Sequence, residues 1–235
     1  MTTPLEGLPE GLRFEADFSH QTGIFNPAQV SDTVTIIGCG GIGASVLPTL
    51  VTMGFTKFIL IDPDLIEPRN ITTNLIFRPQ DLLRAKVERV KEYLLEYGAE
   101  SVEIHQELFT GQVPLTGLVI SGVDTMAARK EIWKYVVDNA DIPLYCDGRI
   151  GGQQMSLLVV EPFNPDHTEW YEEYWLFDDE QAAPLPCTAR TVVFPAVALG
   201  AFMAAYLAAW SRGEQVPQQT DLNFEGAPFF QTVTI

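Results

Sequence analysis

The sequence predicts an α/β fold, a doubly wound mixed sheet that is parallel in its N-terminal half and gains an antiparallel extension toward the C-terminus. Three observations predict it. Thr33-Val-Thr-Ile-Ile37 and Lys57-Phe-Ile-Leu-Ile61 are short β-favouring runs separated by one helix-length segment. Four glycines fall within the six residues Gly38-Cys-Gly-Gly-Ile-Gly43 that join the first run to that segment. Strand-like and helix-like segments then alternate until Arg149-Ile-Gly-Gly-Gln153, which reads as a hairpin turn.

The glycine run has a physical purpose. Gly38 and Gly40 permit a tight turn with no Cβ in the way. The backbone N–H groups of Gly40, Gly41 and Ile42 can then approach a phosphate, aided by the positive end of a helix starting near Gly43. The second run ends in Asp62-Pro-Asp64, and Asp62 lies 22 residues after Gly40. An acid at that strand tip can accept hydrogen bonds from ribose hydroxyls. The unit is therefore Rossmann-like and built for a nucleotide.

The remaining elements follow in order. Residues 1–18 read as a loose arm rich in Pro, Gly and acids, and Ile24 and Phe25 are expected to pack on the sheet. Residues 65–81 carry two prolines and several polar residues, so they read as a loop at the ligand-binding edge. Asp81 is expected to cap a helix over 82–97, where Leu83, Val87, Val90, Leu94 and Tyr97 share one face and Gly98 ends it. Lys86 would then sit in its second turn. Strands are expected over 102–108, 115–123, 143–146 and 155–160, a helix over 125–139, and a last strand over 228–235. Residues 162–190 read as a long crossover loop, followed by a buried helix over 192–210. The whole chain, residues 1–235, reads as one domain.

Composition excludes several functions. The net charge of −17 argues against nucleic acid or an anionic membrane as partner. It is compatible with plain solubility or with an acidic face for a basic protein. The three cysteines are odd in number and far apart, which suits a reducing cytoplasm rather than a disulfide scaffold. No Cys-x-x-Cys pair occurs, so no zinc site is expected. Thr191–Ser211 is an uncharged run of 21 residues, long enough to span a bilayer. Pro195, Gly200 and abundant Ala favour a packed core helix instead.

Beyond the glycine loop, an ordered set of motifs stands out. Asp62-x-Asp64, Glu67-x-x-Asn70, Phe77-Arg-Pro-Gln-Asp-Leu-Leu-Arg-Ala-Lys86, Val123-Asp124-x-x-x-x-Arg129 and Pro186-Cys-Thr188 follow one another. Together they resemble the adenylation domain of ubiquitin-activating, E1-like enzymes and their bacterial ThiF–MoeB-type relatives, over residues 19–210. The resemblance implies ATP–Mg²⁺ binding and adenylation of the C-terminal carboxylate of a ubiquitin-like or sulfur-carrier protein. It implies nucleotide contacts from the glycine loop (Gly38, Gly40, Gly41, Ile42, Gly43), Asp62, Asp64, Asn70, Asn74, Lys86 and Asp124, with Asp124 on the metal. It implies acyl capture on Cys187, a β-grasp partner with a Gly-terminated tail, a conjugating-enzyme-like or sulfur-transfer partner, and a homodimer.

The residue types suit that chemistry. A carboxylate is already nucleophile enough, so the protein must mainly position it and neutralise phosphate charge. Asp124 offers the hard oxygen that Mg²⁺ prefers, and Lys86 a point charge for phosphate. Ordinary roles exist for both: Lys86 as a solvated helix lysine, Asp124 as a helix N-cap. Of the cysteines, Cys39 lies inside the phosphate loop and Cys146 in an apolar strand. Cys187 stands between a polar loop and a helix start, with Arg190 nearby, where thiolate is favoured.

Two departures matter. Thr73 and Asn74 stand where the family carries Arg-Gln, and His20-Gln21 where it carries an Arg before Gln; Arg69 and Arg78 are the nearby substitutes. These departures leave open a catalytically impaired scaffold that binds nucleotide or a ubiquitin-like protein. An NAD-dependent oxidoreductase would also use the glycine loop and Asp62, but leaves Asp64, Asn70, Lys86 and Pro186-Cys-Thr188 without roles.

Overall fold

The computed structural model describes residues 16–30, 33–178 and 192–235. Eight strands form one sheet in the order β3-β2-β1-β4-β5-β6-β7-β8. The parallel strands are β1 (Val34–Ile37), β2 (Lys57–Ile61), β3 (Ser101–His105), β4 (Leu118–Ser121) and β5 (Leu144–Gly151). Strands β6 (Gln154–Val160), β7 (Gln219–Asn223) and β8 (Phe229–Val233) add on antiparallel. The fold is therefore the Rossmann-like mixed sheet expected. Strand order reverses at β1, which lies between β2 and β4, and the glycine loop leaves β1 at that reversal, where open α/β sheets bind ligands.

Helices cover both faces, as a parallel sheet requires. On one side α1 (Gly43–Met53), α3 (Lys86–Glu96) and α6 (Val193–Ser211) bury Leu47, Leu50, Val90, Leu94, Leu199 and Met203 against β1, β2 and β6. On the other, α4 (Met126–Val136) and α5 (Pro165–Trp175) bury Trp133, Val136 and Tyr171 against Val119, Tyr145 and Leu158. A short helix, α2 (Pro68–Ile71), lies in the loop after β2.

Several elements differ from the expected ones. The segment 82–97 is helical only from Lys86, because Leu82 takes φ −52° and ψ 137° and Leu83 takes φ 68°. Asp81 does not cap it; its carboxylate accepts from the Arg78 N–H at 2.8 Å and the Arg89 Nε at 3.2 Å. Lys86 therefore opens α3 rather than occupying its second turn. The strands over 102–108 and 115–123 shrink to Ser101–His105 and Leu118–Ser121. The helix expected over 125–139 stops at Val136, and Thr125, not Asp124, caps it by accepting the Ala128 N–H. Strand β5 runs on to Gly151, so the hairpin turn is Gly152–Gln153.

The expected crossover loop contains α5, capped by Asn164 with Pro165 in its first turn. Strand β7 was not expected, because Gln-Thr-Asp-Leu-Asn carries no apolar run; it is held by antiparallel pairing to β6. Phe25 is buried and stacks on Phe55, whereas Ile24 is exposed. Within the expected N-terminal arm only residues 16–18 are described, and the Phe18 ring lies against Gly54. Residues 1–15 lie outside the described residues.

Helix α6 is long and apolar enough, by length and composition, to cross a membrane. In the fold it buries Pro195, Ala196, Leu199, Gly200, Met203, Ala204, Leu207 and Ala208. Its packing on α1 is close: a Cβ added at Gly200 would lie 2.7 Å from the Ser45 carbonyl oxygen. We predict that Gly200→Val loses roughly 1–3 kcal/mol of stability by overpacking this crossing. Urea unfolding measures it, and an unchanged midpoint would refute the close approach.

Candidate nucleotide site

The glycine loop is held by its neighbours on both sides. The Gly38 N–H donates to the Ile61 carbonyl at 2.9 Å and the Gly122 N–H to the Ile37 carbonyl at 2.8 Å. Gly38 takes φ 97°, and a Cβ there would meet the Gly122 carbonyl oxygen at 2.7 Å. The ends of β1, β2 and β4 thus converge on one turn. Gly43 is also committed, since its Cβ would fall 2.3 Å from the Gly38 carbonyl oxygen. Gly40 differs: a Cβ there would meet nothing within 4 Å. Its bareness serves no packing need.

Asp62 sits at the tip of β2 with only 5% of its surface exposed. Its Oδ2 accepts the Cys39 N–H at 2.7 Å and its Oδ1 the Asp64 N–H at 2.8 Å. Burial pushes its carboxyl above the usual range, and Lys86 and the two amide donors oppose that push. The Lys86 ammonium, buried itself, lies 3.7 Å from Asp62 Oδ1 and 2.6 Å from Asp64 Oδ2. Asp64 is largely exposed, so Lys86 bridges one buried and one solvated carboxylate.

The loop after β2 covers the glycine turn, for a Cβ at Gly41 would approach the Thr73 carbonyl oxygen to 3.2 Å. Asn70 and Asn74 hold this loop in shape. Asn70 Oδ1 accepts the Glu67 N–H at 2.8 Å. Asn74 Oδ1 accepts the N–H groups of Ile76 and Phe77, and its Nδ2 donates to the Asn70 carbonyl at 2.7 Å. The Thr73 hydroxyl donates to the Arg69 carbonyl, and Arg69 pairs with Glu67.

On the far side of the turn, Asp124 follows Gly122–Val123 and is exposed. Among the described residues its side chain has no hydrogen bond or ion pair. Arg129, one helical turn on, is buried beneath it: NH2 donates to the Val123 carbonyl at 2.6 Å and NH1 to the Thr125 carbonyl at 3.3 Å. Its Nε donates to Asp147 Oδ1 at 3.0 Å. Burial works against the Arg129 charge, but the Asp147 carboxylate outweighs it and holds the guanidinium above its ordinary value.

Sequence reading missed Asp147 and Arg149. Asp147 Oδ2 accepts from Arg149 Nε and from the Tyr171 hydroxyl, each at 2.9 Å. Arg149 lies against the rings of Trp175 and Phe177 and donates to the Trp175 carbonyl. The available signal was Asp-x-Arg in a strand that otherwise reads as apolar. Cys39 and Cys146 are buried thiols, both pushed up by burial, Cys146 to about 12. Cys187 lies outside the described residues.

The arrangement can take an anionic nucleotide. The amides of the turn and Lys86 could meet a phosphate, Asp62 keeps lone pairs for hydroxyls, and Asp124 presents an exposed carboxylate. Among the described residues no group of three or more His, Cys, Asp or Glu side chains could cage a metal. The exposed Asp124 carboxylate is of the kind that would suit Mg²⁺, which takes one or two carboxylates and fills its shell with phosphate oxygens and water. A separate polar cavity, lined by Glu161, His167, Trp210 and Gln218, shares none of these residues.

The comparisons agree with this geometry. The family model described as "ThiF family" matches residues 29–224. The chain belongs to the ThiF family. It is 27% identical over 169 residues to the SUMO-activating enzyme subunit 2 of Dictyostelium discoideum, covering 67% of this chain and 24% of that protein. It is 32% identical over 153 residues to the Nedd8-activating enzyme E1 catalytic subunit of Drosophila melanogaster, covering 57% of this chain and 33% of that one. The chain thus spans a quarter to a third of these curated relatives. The E. coli MccB structure with ATP superposes with TM-score 0.69 at 21% identity, over 88% of this chain and 66% of that one. PaaA superposes with TM-score 0.66 at 17% identity, over the same shares of the two chains. At these identities the likeness to MccB and PaaA is one of fold.

The two kinds of glycine yield a paired prediction. Gly43→Ala should destabilise by about 1–3 kcal/mol, because backbone must move. Gly40→Ala should hold its melting temperature, within about 0.5 kcal/mol, yet bind ATP more weakly. Calorimetry with ATP titration on both variants checks this; equal behaviour would refute the division.

Proposed function

We propose that this chain uses ATP–Mg²⁺ to adenylate the C-terminal carboxylate of a small ubiquitin-like or sulfur-carrier protein. The observation that carries the reading is the juxtaposition of the open space at Gly40, buried Lys86 and uncommitted Asp124 around one turn. Family membership and the relatives named as SUMO- and Nedd8-activating enzymes support it.

Each residue has a part. The amides of Gly40, Gly41 and Ile42 face the phosphates at the start of α1. Asp62 accepts from the ribose with its remaining lone pairs. Lys86 exchanges Asp64 for phosphate as the nucleotide enters, and Asp64 turns to solvent. Asp124 would hold Mg²⁺, which would supply positive charge against the negative charge developing on the phosphate oxygens. A carboxylate oxygen of the partner attacks the α-phosphorus; the bond to the β-phosphate oxygen breaks and pyrophosphate leaves with that electron pair. The Cys187 thiolate then attacks the acyl carbon, expelling AMP and leaving a thioester. A homodimer in the cytoplasm, handing the acyl group to a conjugating or sulfur-transfer partner, completes the reading.

A second reading, a nucleotide-binding scaffold, is favoured by one observation. The loop that covers Gly41 presents Thr73 and Asn74, both turned to its own backbone, and its Arg69 is paired with Glu67. ATP–pyrophosphate exchange with candidate β-grasp proteins ending in Gly separates the readings; exchange by the wild type excludes the scaffold. Stabilisation by NAD rather than ATP–Mg²⁺ would overturn both.

Asp124→Ala should abolish exchange while leaving the melting temperature within about 1 °C, since Thr125 carries the helix cap. A variant that exchanges at the wild-type rate removes Asp124 from the chemistry. The cysteines give an independent check. Cys39 and Cys146 are buried and protonated, so maleimide should label neither in the native protein. Mass mapping is expected to find one labelled thiol, Cys187; label on Cys146 would redirect the thioester assignment.

A further inference from the structure

The nucleotide chemistry above leaves the most enclosed carboxylate of the site without a part. Asp147 is fully buried on β5 and receives two guanidinium groups, Arg129 through Nε and Arg149 through Nε and NH2, together with the Tyr171 hydroxyl. Such a carboxylate is costly to bury, and a device that keeps it needs a use. Arg129 points to one. With Nε fixed on Asp147, its two terminal nitrogens reach the carbonyls of Val123 and Thr125, on either side of Asp124. NH2 also donates to the Gly148 carbonyl at 3.2 Å, tying the same guanidinium to β5. The Thr125 hydroxyl then accepts the Ala128 N–H and fixes the next residue at the start of α4. The backbone of Asp124 is thereby pinned from both sides while its own side chain stays exposed and unengaged.

We propose that Asp147 and Arg129 are positioning residues that aim the Asp124 carboxylate at the metal-bound nucleotide. The inference rests on the reading of Asp124 as the metal carboxylate. The planar fork of arginine is what the task requires: one donor meets Asp147 and the two others meet carbonyls two residues apart. Lysine has the charge but cannot span the three acceptors. Asparagine in place of Asp147 keeps the shape but removes the charge that orients the fork. Arg149 and Tyr171 anchor the other carboxylate oxygen; Arg149 also donates to the Met126 sulfur at 3.8 Å, whereas Tyr171 makes no hydrogen bond to residues 123–125 among the described residues.

Manganese binding in the presence of a non-hydrolysable ATP analogue, read by electron paramagnetic resonance at a temperature where all variants are folded, tests this. Asp147→Asn and Arg129→Lys should each weaken Mn²⁺ binding by roughly 10–100-fold, the usual effect of losing a group that orients a metal ligand. Tyr171→Phe removes a bond to the same carboxylate without touching Arg129, so it should lower the melting temperature and leave Mn²⁺ affinity unchanged. Arg129→Lys keeps the assay decisive if Asp147→Asn does not fold. Wild-type Mn²⁺ affinity in Arg129→Lys, with affinity lost in Asp124→Asn, would overturn the positioning role and leave the metal role of Asp124 standing. Wild-type affinity in Asp124→Asn would overturn both. Equal weakening by Tyr171→Phe would reduce the network to a general stabiliser and also overturn the proposal.

Discussion

The site depends on one buried carboxylate, that of Asp62. Two backbone N–H groups and an ammonium gather on it from three separate segments: the glycine turn, the end of β2 and the start of α3. A carboxylate held in this way fixes distances that apolar packing leaves loose, because each donor must lie within a few tenths of an ångström of its acceptor. The amide of Cys39 is drawn toward β2, and the turn that follows is thereby oriented. Were Asp62 absent, the buried Cys39 amide would be left without its acceptor, at about 1–3 kcal/mol.

On the other side of the turn a second buried carboxylate plays a matching part by different means. Asp62 acts directly on backbone, whereas Asp147 acts through a guanidinium on the Val123–Thr125 segment. The turn is therefore clamped between β2 and β4 by two charges that solvent scarcely reaches. Low effective dielectric strengthens both clamps and makes each partner's loss expensive.

The sheet and the turn were legible in the sequence because their signals are local. Val34–Ile37 followed by spaced glycines carries its period and its breaker within a few residues, and Cys146 reads as buried from its apolar neighbours. The start of α3 was not legible. The apolar spacing of Leu83 and Val87 extends past the true boundary, and only the left-handed backbone at Leu83 and the bridge from Leu65 to Ala85 mark where the helix begins. Strand β7 was lost for a related reason: Gln219–Asn223 owes its conformation to β6, a tertiary cause without a local pattern. The structure engages Asn70 and Asn74 in the loop's own backbone, bonds that no spacing in the sequence shows. Asp147 and Arg149 escaped because a charged pair inside a strand gives no periodic signal, and because Arg129, their link to the site, belongs to another element.

The open space beside Gly40 bears on how this fold can drift. Gly43 and Gly38 are locked by contacts that every folded descendant must keep. Gly40 is not, so a lineage that no longer needs the nucleotide can replace it without losing its shape. Gly40 therefore reports on whatever the turn faces, while retention of its neighbours records only an intact scaffold.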